Sequence, residues 1–514
     1  MPEDENREIL NTLAKGAGIT AFGMFASKFL TYLYRALVGR TLGPEAYGQL
    51  ALGIMIVNIA VTFSGGQIRN GLKKFIPEYR EERNTAAIKG IVISALGINI
   101  IGSIIIGLTI FFSAEFLANQ IFKNPALVPI IKVFAFVPLI SRPYNTFIDT
   151  TIGFNTAKYK VITTNFFQNI VQLIVTAVLI YVGFDVMGAV WGWVAGVTLA
   201  GILGFYYMER KVGPILTSGE KPEYHGRELV RYSFPLMLSG MVSIFMGWTD
   251  TAFLGYYMSE SVVGLYNAAF PTAMLILIPI QALGSLTLTS FAEQNTKDEN
   301  PGKTLKTTAR WVFIFTFPAF LIMTLYSSEL LHLLFGSKFA SAGTALAVLA
   351  LGNMLGASTG HIADLLKSKG HTKPIFYNNI ANVVLNIILN IALIPTLGML
   401  GAAIATASSS IFMNFLLVAE TWRYEKIHPF TRKIIKPAAA GTISLTATYL
   451  LFHQLISPAP YWLLIPAGII FLGLYTLILL KIGGLTEYDR EIITTIGRKI
   501  GYEKEVEKML KTLT

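Results

Sequence analysis

The chain is written twice, in segments long enough to cross a bilayer. Displaced against itself by 213 residues, the stretch 157–210 runs without a gap against 370–423. Lys160 then falls on Lys373, Asn165 on Asn378, Asn169 on Asn382, Gly188 on Gly401 and Arg210 on Arg423. Upstream the displacement becomes 214, pairing Glu115 with Glu329. Nearer the start it is 216, pairing Ala36, Gly39 and Gly48 with Ala252, Gly255 and Gly264. Parallel duplication of a multi-helix membrane unit builds two lobes around a midplane pathway, so the repeat points toward transport.

Composition supports the membrane reading. The chain is 53% hydrophobic and only 14% charged, where a soluble protein carries about 25% charged residues. Apolar runs of membrane-spanning length recur throughout, and each must be helical because lipid offers no partner to a bare amide. The expected fold is an all-α integral membrane protein with fourteen spans, near 16–39, 45–67, 88–112, 127–148, 160–182, 187–208, 230–254, 262–290, 310–327, 342–364, 375–395, 399–420, 437–455 and 461–481. The repeat groups them as a first lobe of six (1–212), a polar linker (213–229), a pseudo-symmetric second lobe of six (230–424), two appended helices (425–483) and an amphipathic tail (484–514).

Charge placement orients the chain. With both termini in the cytoplasm, the outside loops hold only Arg40, Lys123, Lys132 and Lys338 of the 41 Lys and Arg residues. Lys28, Arg35 and Arg142 lie within spans. This is the positive-inside asymmetry of an even number of spans, and it accounts for the net charge of +11 without nucleic acid as a partner. Met1 to Lys15 lacks the pattern of a cleaved leader, so the first span is expected to be retained. Cysteine is absent, which excludes disulfides, thiolate chemistry and Cys-ligated metal.

Three enzyme-like patterns fail on context. Gly302-Lys303-Thr304 ends like a phosphate-binding loop, yet the position of the leading glycine is Lys297. Gly356, Ser358 and Gly360 fit a nucleophile elbow but sit in an apolar span, not after a strand. Gly352, Gly356 and Gly360 are spaced four apart and read as small-residue packing on one helix face. The six histidines have no metal-ligand spacing. No catalytic constellation emerges, and the expected class is not an enzyme.

Polar residues that only one copy carries need a separate reason. Lys28 and Arg35 align with Ile244 and Thr251, Arg69 with Ser285, and Arg142 with Leu355. Lys28 and Arg35 are seven apart, hence on one helix face. An in-membrane cation costs about 2.5–3.5 kcal/mol, so it faces a cavity or a partner unless it snorkels to headgroups. A cationic first-lobe wall of Lys28, Arg35, Arg69 and Arg142 would suit phosphate or carboxylate. The second lobe instead carries Asp250 opposite Tyr34, Asn386 and Asn390 opposite Leu173 and Ala177, and Thr406 opposite Trp193. These oxygens suit Na⁺ or a protonatable acid. The asparagines at 378, 382, 386 and 390 equally describe a polar packing seam.

The motifs resemble the polysaccharide transport family. Arg35, Arg40, Leu42-Gly43-Pro44-Glu45 and Tyr47-Gly48 run from the end of the first span into the start of the second, and Ile76-Pro77-Glu78-Tyr79 follows the second. Asp250, Leu254-Gly255, Gly264, Tyr266 and Ala268 look like the second-lobe counterpart, and Lys369-Gly370, Thr372-Lys373-Pro374 and Leu400-Gly401-Ala402-Ala403 fit the same pattern. The resemblance covers residues 10–480 and includes the superfamily of MATE-like multidrug extruders and lipid II flippases. It implies a flippase in the cytoplasmic membrane, moving polyprenyl-(di)phosphate-linked oligosaccharide by alternating access for cell-surface glycan synthesis. A cation-coupled multidrug extruder and a lipid II-type flippase are the alternatives. It further implies no cofactor, Na⁺ or H⁺ coupling, a monomer, and glycan polymerase or glycosyltransferase machinery as partners. The cation-coupling site carried over is Asp250, Asn386, Asn390, the Ala402 carbonyl and Thr406. Asn390 stands where sodium-binding relatives have an acid, which leaves one negative charge fewer. The last two spans match an appended pair that forms a lipid groove in lipid II flippases.

Overall fold

The computed structural model describes residues 3–65, 67–297, 299–455 and 461–483. The expected amphipathic tail, 484–514, lies outside the described residues. Every regular element among the described residues is helical, and the protein is a multi-pass membrane protein. Twelve of its described helices are long and apolar enough to cross a membrane, where the sequence led to fourteen spans. Two differences account for the gap. The first two expected spans form one continuous helical run, α1 (Glu3–Gly65), and α9 (Gly226–Tyr257), at the seventh, is not among the twelve. Within the apolar stretch of α9, Ser239, Gly240, Ser243, Gly247, Thr249 and Asp250 dilute the hydropathy.

α1 is two helical arms joined at a kink. Gly43 has φ 82° and ψ −178°, a conformation that glycine adopts without steric penalty. Pro44 follows at the start of the second arm, where its missing N–H leaves no helical bond unmade. The expected connection at 40–44 is therefore a bend within a helix.

Contacts divide the chain into two compact units, Met1–Asn267 and Ala268–Thr514. In the first, α2 (Ile68–Glu81), α3 (Thr85–Phe116), α4 (Leu127–Phe134), α5 (Val137–Gly153), α6 (Ala157–Lys160), α7 (Gln168–Tyr181), α8 (Asp185–Tyr206) and α9 follow α1. The cut falls inside α10 (Glu260–Ala273). Between the expected second and third spans, α2 is a docked amphipathic helix. Ile68, Leu72, Phe75 and Ile76 are buried with Ile88, Ile91 and Ala95 of α3 and with Leu229. The basic side chains of α2 occupy its other face. Asn84 starts α3, its side chain accepting from the Ala87 amide at 2.9 Å.

The repeat becomes physical where α1 meets α10. A Cβ on Gly48 would stand 1.8 Å from the Glu260 carbonyl oxygen, and one on Gly264 would stand 1.9 Å from that of Pro44. Gly48 and Gly264 are repeat mates, and so are Pro44 and Glu260, both at displacement 216. The contact is reciprocal, as a local two-fold requires. Helix backbones approach this closely only through glycine.

The second unit continues with α11 (Ile278–Thr296), α12 (Gly302–Leu325), α13 (Ser327–Phe335), α14 (Gly343–Ala357), α15 (Ile362–Ser368), α16 (Thr372–Leu397), α17 (Met399–Glu425), α18 (Ile435–Leu455) and α19 (Leu464–Lys481). The appended pair, α18 and α19, docks on α12. The Tyr475 hydroxyl donates to the Ile314 carbonyl at 2.8 Å, and Gly441 lies against the Phe317 ring.

One packing expectation is corrected. Gly352 and Gly356 do face α17, against Ala407 and Asn414. Gly360 does not share their helix face, because α14 ends at Ala357. It adopts φ +63° in the following turn, close against Ala309 of α12.

Gly48→Ala and Gly264→Ala should each destabilise the protein by about 1–3 kcal/mol, since a backbone carbonyl must move. Gly97→Ala, whose Cβ meets nothing within 4 Å, should leave the melting temperature in detergent unchanged. Equal melting of all three variants would show that the crossing is not tight.

Candidate anion-binding site

In the first unit, α2, α5 and α6 gather four cations near one buried carboxylate. Arg69 and Lys73, one turn apart on α2, both reach Asp149 of α5. The distances are 3.4 Å from Arg69 Nε to Asp149 Oδ2 and 3.2 Å from Lys73 Nζ to Asp149 Oδ1. The Asp149 side chain is 2% exposed, whereas that of Arg69 is 41% exposed. Lys160, at the end of α6, is within electrostatic reach of Arg69, Lys73 and Asp149. Arg142 lies two turns before Asp149 on the same face of α5 and is buried.

Arg142 also has a structural task. Its guanidinium donates to the Thr62 carbonyl and the Ser64 hydroxyl, each at 3.1 Å. Thr62 is in the last turn of α1, whose carbonyls have no helical partner, so Arg142 caps that helix. The remaining constellation is strongly cationic, with Asp149 as its one carboxylate. The Arg69–Asp149 separations of 3.4 and 3.5 Å are loose for a charge-assisted bond. The exposed guanidinium fork is thus accessible to a second acceptor, and phosphate or carboxylate matches its geometry.

The other predicted cations lie apart from this cluster. Arg35, half-buried in the first arm of α1, donates to the Tyr47 hydroxyl at 3.5 Å and to the Asn267 carbonyl at 3.4 Å. It links the two arms of the kinked helix. Lys28, two turns earlier, is exposed and shares neither partner. Near Arg35, Asp250 is buried and accepts from the Tyr266 hydroxyl, while Thr251 and Asn267 exchange side-chain hydrogen bonds at 3.2 and 3.4 Å.

The five residues assigned to cation coupling divide between the units. Asp250 belongs to the first; Asn386, Asn390, Ala402 and Thr406 belong to the second. There the asparagine stripe of α16 is a buried seam, largely facing α17. Asn378 donates to Glu420 at 2.7 Å, Asn386 to Thr406 at 3.1 Å and Asn390 to Asn386 at 3.0 Å. Ala402 is fully buried. In the first unit, Asn169 donates to the Ser27 hydroxyl of α1 at 3.1 Å, a bond between helices.

Sequence reading missed Lys73, Asp149 and Lys160. Lys160 recurs as Lys373, so it does not stand out among the residues that only one copy carries. Asp149 fell one residue beyond the expected fourth span, which hid its spacing of seven from Arg142.

The profile described as "Polysaccharide biosynthesis protein" matches residues 13–290, more than half of the chain, and a profile described as MatE matches residues 235–392. A relative from Haloferax volcanii, named as a probable low-salt glycan biosynthesis flippase, is 29% identical over 38% of this chain. The alignment covers only 42% of that relative's length. An uncharacterised membrane protein of Methanocaldococcus jannaschii is 22% identical, with 94% of this chain and 98% of the relative aligned. Among solved structures, the lipid II flippase MurJ in an inward closed conformation superposes with a TM-score of 0.71 at 16% identity. The match covers 89% of this chain and 97% of that one, and establishes likeness of fold.

Replacing Arg69 and Lys73 together by Gln should destabilise the protein by about 2 kcal/mol, because Asp149 is left buried without its partners. The figure is below that of a fully buried pair because Arg69 is solvated. Adding Asp149→Asn should restore most of the loss. Thermal melting of the three variants measures this coupling, and failure of the third substitution to rescue would remove Asp149 from the pairing.

Proposed function

This chain belongs to the polysaccharide biosynthesis protein family, and on that premise we propose that it is a flippase for lipid-linked glycan. The cargo is an oligosaccharide on a polyprenyl (di)phosphate, carried across the cytoplasmic membrane by alternating access. The observation that carries this reading is the cluster of Arg69, Lys73, Lys160 and Arg142 around Asp149. A phosphate dianion is attracted by its net positive charge and fits the exposed fork of Arg69. The amphipathic helix α2 carries two of these cations beside apolar spans, which suits a ligand with a charged head and a hydrocarbon chain. Lys28 and Arg35 of α1 are further cations of this unit, apart from the cluster.

The protein acts as a transporter and not as an enzyme, with both termini in the cytoplasm. It works as a monomer and passes its cargo to glycan polymerase or glycosyltransferase machinery. Coupling to Na⁺ or H⁺ runs through Asp250, a buried carboxylate whose hydrogen bond from Tyr266 holds it in place. A second reading, a multidrug extruder, draws on the MatE profile match. The cluster argues against it, because cationic drugs would be repelled.

Flipping of a labelled polyprenyl-diphosphate oligosaccharide in proteoliposomes tests the proposal. The variant Arg69→Gln/Lys73→Gln/Asp149→Asn, which leaves no unpaired acid, should lose flipping about tenfold or more, equivalent to roughly 1.4 kcal/mol of lost binding. Lys28→Ala/Arg35→Ala measures the contribution of the α1 cations. Efflux of a cationic dye without glycan-lipid transport would replace the flippase by the extruder. Asp250→Asn should abolish the response to an imposed Na⁺ or proton gradient; an unaltered response would place coupling elsewhere.

A further inference from the structure

Three membrane-spanning helices of the second unit end around one basic cavity of about 860 Å³. α12 begins there, α17 ends there and α18 starts a few residues beyond, so the cavity lies at the level of the membrane surface. Lys303, Lys306 and Arg310 enter from α12 at spacings of three and four, which places them on one helix face. Lys426 and His428 come from the turn after α17, and Lys433 from the approach to α18. The turn is folded over the cavity by Lys426, which adopts φ 57° and donates its amide to the Trp422 carbonyl at 3.1 Å. Arg310 lines the cavity while only 3% exposed. No carboxylate stands among the described residues that line it.

The duplication supplies an internal control. At displacement 213, Trp422 falls on Glu209 of the first copy. There the Glu209 carboxylate closes the following turn, accepting from the Leu216 amide at 2.7 Å and the Thr217 hydroxyl at 2.8 Å. The second copy has an indole where the first has that acid, and Lys303, Lys306, Lys426 and Lys433 line the cavity with it. A bound anion would offset the mutual repulsion of these lysines.

We propose that this cavity binds a phosphate-bearing anion, either the headgroup of an anionic lipid or a soluble phosphate compound. The setting suits a lipid. Trp422, Phe430 and Ile435 are exposed apolar side chains at or near its mouth, the residue types that lie at headgroup level beside a hydrocarbon core. The cations give the phosphate charge-assisted hydrogen bonds. The site is in a different unit from the Asp149 cluster and does not rest on the transported cargo.

Binding is measured on the full-length protein in neutral detergent, with dioctanoyl phosphatidylglycerol, dioctanoyl phosphatidylcholine and sodium pyrophosphate as probes. Saturable binding of phosphatidylglycerol but not of phosphatidylcholine is expected, weakened about tenfold in Lys303→Gln/Lys306→Gln/Lys433→Gln. Lys338→Gln/Lys369→Gln/Lys373→Gln, which removes equal charge elsewhere in the unit, should bind as the wild type does. Pyrophosphate binding that is lost in the first variant, with no binding of phosphatidylglycerol, identifies a soluble phosphate as the ligand. Equal weakening in both variants, equal binding of the two lipids, or no binding of either phosphate probe overturns the proposal. Matching melting temperatures of the variants establish that folding is not the cause.

Discussion

Two helices can touch backbone to backbone only where neither carries a side chain, and in the first unit that condition is met at Gly48 and Gly264. The carbonyl oxygens of Glu260 and Pro44 occupy the positions where their Cβ atoms would stand. This contact brings Asn267, one turn after Gly264, against the second arm of α1. Arg35 then reaches the Asn267 carbonyl and the Tyr47 hydroxyl together. The kink at Gly43 is what lets an arginine of the first arm approach a tyrosine of the second. The crossing, the kink and the arginine form one device, and the path of α1 follows from it. Without hydrophobic drive between helices in lipid, such close van der Waals contact and a few polar links carry helix association.

The two copies solve the burial of polar groups differently. The first copy buries charge, with Asp149 held between α2 cations and Arg142 spent on the last carbonyls of α1. The second copy also buries charge, at Asp250 and Arg310, but its α16 stripe is a seam of neutral amides bonded mainly to α17 and to one another. An amide seam needs only hydrogen bonds to be satisfied, whereas a charged cluster stays sensitive to any further ion that enters. The basic cavity at the end of α17 is a further charged feature of the second copy.

Much of the architecture was legible in the chain. Apolar run length and the absence of backbone partners in lipid require helices, and the repeat fell on glycines that meet in space. The α1 connection and α9 were less legible for opposite reasons. Gly43-Pro44 reads as a loop, although one glycine dihedral suffices to bend a helix without ending it. α9 is long enough to span but carries polar residues that hydropathy penalises. Gly360 was placed on the face of Gly352 and Gly356 because periodicity cannot register that α14 stops three residues earlier.

The sequence by itself determined the helical class, the duplication, and four cations without repeat mates. Those properties are local or statistical, set by residue type and period. Only the tertiary structure decided how those cations are used. Arg142 became a helix cap, Arg35 a brace across a kink, Lys28 an exposed charge, and Arg69 the partner of an aspartate eighty residues away. Which charges share a site depends on the docking of α2 against α5. That docking is governed by the apolar face of α2, and the charges themselves contain no record of it.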